Sequence, residues 1–169
     1  MVKKLWIIGA LALLLCGCGA QETFETVEDV WAAPTQPAMQ HILLDLPADA
    51  NAPALQSDTG DKLYLCDGFS VTVQVLQAGD MEKTLRTVTG YDKEDLQTAL
   101  SAGDRFHCVW TAAGEGQTQV GKTTVIDDGN YHYALTVMMP ETAAGELQQQ
   151  VQQIFNSFRL TQEPVGTGS

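Results

Sequence analysis

Positive charge is scarce in this chain. Its 169 residues carry nine Lys and Arg against 21 Asp and Glu, a formal net charge of −12. That balance argues against nucleic acid as a partner, because phosphate backbones would be repelled. Long hydrophobic runs are lacking too. The apolar run at residues 5–15 covers about half of the ~20 residues a helix needs to cross a bilayer core. Four cysteines are too few for a disulfide scaffold, and they lack zinc-knuckle spacing. With 44% hydrophobic residues and a mean hydropathy of −0.07, neither wholesale disorder nor a polytopic membrane protein fits. The length leaves room for one ordinary domain.

What is present is clearest at the N-terminus. Lys3 and Lys4 precede the apolar run, and Leu15-Cys16-Gly17-Cys18 follows it where a cleavage site would sit. This is the pattern of a signal peptide rather than of a spanning helix. The residues resemble a bacterial lipoprotein signal, the lipobox, with an aliphatic residue three before the modified cysteine and a small residue just before it. Leu15 and Gly17 fit when Cys18 is modified; Cys16 as acceptor would follow Leu15, a poorer fit. The resemblance implies a signal peptide over 1–17, diacylglycerol on Cys18 and a cell-membrane location on the extracytoplasmic face. The acyl chains must then hold an acidic domain at an anionic surface.

Residues 18–40 read as a tether. Small residues, glutamates, Pro34 and Pro37 suit a linker, although Phe24, Val27 and Trp31 fall at helical spacing. A domain over 41–162 follows, then a flexible tail over 163–169. Ile42, Leu44 and Leu46 alternate as in a half-buried strand, and 48–61 reads as a polar loop. Strands at 62–66 and 69–76 meet at Asp67-Gly68, the residue pair of a hairpin turn. Asp80 can cap a helix that stops at Gly90. Residues 96–101 read as a strand rather than a helix, turning into a strand at 105–111. Strands at 120–127 and 131–138 flank Asp128-Gly129. After Pro140, an amphipathic helix shows Leu147, Val151, Ile154, Phe155 and Phe158 on one face.

The order of these elements predicts an α+β domain, an antiparallel β-sheet flanked by helices, after an N-terminal signal helix. The closing pattern resembles the PsbP-like fold: a Tyr-rich strand, an acidic-Pro loop, an amphipathic helix, then Asn156-Ser157-Phe158-Arg159-Leu160. It covers roughly 42–160 and implies a sandwich with mostly noncatalytic, accessory or binding members. No functional residue transfers with it.

Motifs that suggest chemistry do not assemble a site. The stretch from Gly116 to Thr123 has Walker A spacing, but a phosphate loop must open a helix, and Thr123 to Ile126 continue as a strand. His107 and Cys108 are adjacent on a strand and so point to opposite faces. His132 between two tyrosines reads as a packing residue, and Asp127-Asp128-Gly129-Asn130 as a turn rather than a calcium loop. Ser70, Ser101 and Ser157 lack a nucleophile elbow. Asp127 with Glu115 is a conceivable acid–base pair, and Trp110, Tyr131 and Tyr133 a conceivable aromatic patch. No metal or cofactor is expected. Cys66 and Cys108 remain after export; outside the cytoplasm they are candidates for a disulfide, with two buried thiols the alternative.

These readings point to a lipid-anchored, noncatalytic exported domain that binds an envelope protein, another envelope component or a small ligand. Two alternatives are a small exported carboxylate-dependent hydrolase acting on envelope polymers and a structural accessory subunit of a membrane complex.

Overall fold

The computed structural model describes residues 36–161, apart from positions 51 and 115. Runs of β-branched and aromatic residues, cut by Gly-containing turns, give nine strands there. Seven form one antiparallel sheet: β2 (Leu55–Gln56), β3 (Lys62–Cys66), β4 (Phe69–Gln77), β5 (Thr98–Ala102), β6 (Arg105–Ala113), β7 (Thr118–Asp127) and β8 (Tyr131–Pro140). Their spatial order is β2-β3-β4-β8-β7-β6-β5. The hairpin turns fall at Gly68, Gly103 and Gly129, each with positive φ, the conformation glycine adopts without strain.

Two helices lie on opposite faces. α1 (Met81–Thr89) starts at Asp80, whose side chain accepts the Glu82 N–H, and ends at left-handed Gly90. α2 (Gln148–Ser157) follows a 3-10 turn at Glu141–Ala143. Alternation along the strands sorts the core. Val71, Tyr133, Leu135, Val137 and Met139 pack with Val151, Ile154 and Phe158 of α2. Cys108, Trp110, Val125 and Ala134 pack with Leu85 of α1 on the reverse side. Each fully buried side chain of this size contributes roughly 1.5–3 kcal/mol, so the longer α2 side carries more of the fold. Among the described residues no helix is long and apolar enough to cross a membrane.

The structure departs from the sequence reading in the short elements. The expected loop at 48–61 holds a 3-10 turn at Ala48–Ala50 and the two-residue strand β2. The expected strand through Ile42, Leu44 and Leu46 is reduced to β1 (His41–Leu43), which pairs with an unforeseen β9 (Arg159–Thr161). Its alternation is nevertheless real, since all three residues pack against the α2-side core. The folded body also begins ahead of 41. The Gln40 N–H donates to the Tyr133 hydroxyl at 2.8 Å, and the Tyr131 hydroxyl donates to the Pro37 carbonyl at 2.8 Å. Positions 1–35 and 162–169, including Cys18, Cys16 and nearly all of the tether and tail, lie outside the described residues.

Candidate functional site

The disulfide is not formed. Cys66 and Cys108 are free thiols. Cys66 packs on the α2-side core and Cys108 on the α1-side core. Their strands, β3 and β6, are four strand spacings apart, about 19 Å at the usual ~4.8 Å per spacing. That is well past the ~7 Å that a bridge can span between Cα atoms. Burial pushes the Cys108 thiol up to about 11, and burial with the nearby Asp49 charge raises Cys66.

The other sequence candidates scatter. The Walker-like segment runs from the β6–β7 turn into β7, which is paired on both sides, so Lys122 is half-buried in an interior strand. The three aromatic residues do not form a patch: Trp110 is buried on the α1 side beside Tyr91, whereas Tyr131 and Tyr133 meet edge to face on the other. Glu115, the proposed partner of Asp127, is outside the described residues. Ser157 is used structurally, donating to the Ile154 carbonyl and accepting the Asp45 N–H.

Asp128 organises the β7–β8 turn. It accepts the N–H groups of Asn130 and Tyr131, the Tyr133 hydroxyl and the Gln40 side-chain amide. Burial alone would raise its pKa, but these bonds outweigh that and hold it below the ordinary carboxylate value. The same network, with burial as the larger cause, pushes Tyr133 up to about 12. The segment is therefore a turn, as expected, and among the described residues no cluster could hold a metal ion.

His132 is buried beneath α1, with Nδ1 2.7 Å from the Thr84 hydroxyl. Its Nε2 lies 3.5 Å from Asp127 Oδ2 but makes no hydrogen bond. The distance is long for a hydrogen bond. The Thr84 contact ties α1 to β8.

A different cleft gathers groups suited to binding. It opens on the α2 face, where α2 stops short of the β5 edge, with a volume of about 560 Å³. Alternation directs three cross-strand rows to this face. They are Thr98–Val109–Lys122, Leu100–His107–Thr124 and Ala102–Arg105–Ile126. Arg105, His107 and Lys122 line the cleft together with apolar Leu100, Val109 and Phe155, and among the described residues no carboxylate lines it. The cleft on the α1 side, which Arg105 also lines, gathers Asp80, Glu82, Asp104 and Asp127 with Lys93.

Each basic group is held differently. Arg105 donates to the Phe158 carbonyl at 3.1 Å, which satisfies an orphan carbonyl at the end of α2 and fixes the guanidinium. Four of its five N–H donors remain available. The Lys122 ammonium has no hydrogen-bond or ion-pair partner among the described residues. His107 Nδ1 is 2.8 Å from the Thr124 hydroxyl. Burial, and then the neighbouring Arg105 charge, lower its pKa, so the imidazole is neutral near pH 7. In the sequence His107 stands out only beside Cys108, and Lys122 only as the lysine of the Walker-like stretch. Strand alternation could have found the trio only with the order β5-β6-β7 known.

The sequence matches no family model and no curated protein. Among solved structures, the fold is similar to that of cyanobacterial PsbP (CyanoP) from Synechocystis. The TM-score is 0.52 at 8% identity, covering 76% of this chain and 96% of that one. Two further similarities have lower scores. The Ran-binding protein Mog1p of Saccharomyces cerevisiae gives a TM-score of 0.48 at 14% identity, over 70% of this chain and 89% of that one. LpqN of Mycobacterium tuberculosis, described as involved in cell envelope biogenesis, gives 0.47 at 14%, over 76% and 87%. The expected α+β, PsbP-like sandwich is thus the observed fold.

Proposed function

We propose that this chain is a lipid-anchored, noncatalytic binding domain of the cell envelope, attached through Cys18. Its cleft between α2 and strands β5 to β7 would hold an anionic group with an adjoining apolar part. The observation that carries this reading is the cleft's lining. In a chain of net charge −12, the cations Arg105 and Lys122 share one concavity with the imidazole of His107, and no carboxylate of the described residues lines it. The half-buried Lys122 ammonium has no carboxylate partner among the described residues, so an incoming anion would meet an unpaired cation. Leu100, Val109 and Phe155 give an apolar wall that an alkyl or side-chain group can cover.

The reading is tested on the full chain in nanodiscs, using hexanoate as probe and hexylammonium as the control of opposite charge. Hexanoate should shift the NMR signals of His107 and the β7 amides saturably, and Lys122→Ala should abolish the effect. An equal response to the cation, or none to the anion, would overturn the assignment of the cleft.

A further inference from the structure

The two ring nitrogens of His107 are held differently. Nδ1 is 2.8 Å from the Thr124 hydroxyl. Nε2 has no hydrogen bond among the described residues, yet it is not sealed away; the ring nitrogen that is both sealed and unpartnered belongs to His132. A hydroxyl can donate or accept, so Thr124 keeps its bond whether or not Nδ1 carries a proton. One geometry therefore serves both the neutral ring and the imidazolium, and in the imidazolium Nε2–H is a charge-assisted donor without a partner in the chain. The groups around the ring decide which form prevails. Arg105 lies two residues away on β6, Lys122 lies diagonally across the β7 ladder, and Leu100 lies across the β5 ladder. From α2 come Gln152, Phe155 and Asn156, all uncharged. The Cys108 thiol, pushed up to about 11, is neutral as well. Asp104 and Asp127 line the neighbouring clefts and not this one. Among the described residues, the charged side chains lining the cleft with His107 are both cations.

We propose that the cleft is a proton-linked anion site, in which binding of an anion and protonation of His107 favour each other. This rests on the reading of the cleft as an anion site and names how that site is regulated. Without an anion, burial and then the Arg105 charge disfavour the imidazolium, and the ring is neutral near pH 7. An anion brings the negative charge that the lining lacks, and it can accept from Nε2–H. Linkage is reciprocal: whatever the anion adds to the stability of the imidazolium, protonation adds to the affinity for the anion. Affinity then rises as pH falls through the His107 pKa of the bound form and levels off below that of the free form. Each unit by which the anion raises that pKa is worth about tenfold in affinity. Arg105 is tied to the Phe158 carbonyl and also lines the neighbouring clefts, so its part is to keep the free ring neutral. Contact with the anion falls to Lys122 and His107. A ring already paired with a carboxylate would show no such linkage, its charge being settled before a ligand arrives.

The experiment titrates the His107 ring by NMR in the full chain in nanodiscs, in Bis-Tris buffer, with and without hexanesulfonate. A sulfonate keeps its charge across the range from about pH 5.5 to about pH 7.5, and His107→Gln identifies the His107 signals. Saturating hexanesulfonate should raise the His107 pKa by about one unit or more, with His41 and His132, which lie outside the cleft, unmoved. Affinity for hexanesulfonate should be about tenfold higher at the acid end than at the other. His107→Gln should level the two affinities, whatever their size. A His107 pKa unmoved by bound anion, or an affinity indifferent to pH, would overturn the proposal. So would a gain on acidification that survives His107→Gln, which would assign it to the chain's general loss of negative charge. The hexanoate response at about pH 7.5 separates the two readings. If it is saturable while the His107 pKa stays fixed, the anion site stands and proton linkage falls; if it is absent, the cleft assignment itself falls.

Discussion

The indole of Trp110 fills the space over Gly121 that a side chain there would occupy. The two residues are cross-strand partners in β6 and β7, and a Cβ on Gly121 would overlap the Trp110 ring. The glycine ahead of Lys122-Thr123 is therefore explained by packing, not by a need to approach phosphate. Gly121→Ala should destabilise the domain by about 1–3 kcal/mol, the usual cost of overpacking a tight core. Urea unfolding measures it, and an unchanged midpoint would refute the packing account. Lys122→Ala should leave the midpoint almost unmoved, and neither variant should show or lose nucleotide binding.

Acid stability should depend on His107. Its folded pKa lies below the ordinary value of 6.5, with burial the larger cause and Arg105 the smaller. The unfolded chain then takes up the proton first, so stability falls as pH drops from about 6.5 toward the folded value and levels off below it. His107→Gln should flatten this part of the profile, read by chemical denaturation at closely spaced pH values. The opposite slope in the parent chain, or a profile untouched by the substitution, would contradict the placement of His107.

Thiol chemistry should separate Cys66 from Cys108. Both are raised above their ordinary value of 9.0, Cys108 to about 11, and Cys108 is only 2% exposed. The thiolate is the nucleophile, so both should react slowly with iodoacetamide at pH 8. Half-buried Cys66 should react first, and Cys108 only once the chain is unfolded. Mass spectrometry of the nonreduced protein should find no peptide pair joined through them. A cross-linked pair would mean that the strand order is wrong.

Membrane attachment should require Cys18. Leu15 and Gly17 stand where the lipobox resemblance wants them. Cys18→Ala should release the protein from the detergent phase and abolish acyl labelling, with Cys16→Ala leaving both intact. The reverse pattern would move the anchor to Cys16.

The long elements were legible in the sequence because local chemistry specifies them. Asp80 and Gly90 bound α1, Asp67-Gly68 and Asp128-Gly129 close hairpins, and the apolar stripe from Leu147 to Phe158 fixes the inner face of α2. β2 and β9 were not legible, since two or three residues carry no period and owe their form to a partner strand far away in sequence. The binding cleft was hidden for a related reason. Arg105 and His107 share a strand face two residues apart, but Lys122 joins them only through the β6–β7 pairing. The cysteines misled because the lipobox resemblance leaves Cys66 and Cys108 as a pair without showing that β4, β8 and β7 stand between β3 and β6.

Strand order also sets a sequence of folding events. β5, β6, β7 and β8 form an unbroken meander, each hairpin closing a short loop. The seam between β4 and β8 instead joins Ser70 to Met138 and Gln77 to Tyr131, and β1 with β9 joins His41 to Thr161. Loop-closure entropy makes such distant pairings slow, so the meander has the kinetic advantage and the β3–β4 hairpin docks onto it afterwards. A newly made chain would then expose two unpaired borders for a time, β5 and the still uncovered β8. Among the described residues, only the second is sealed by a strand of the same chain.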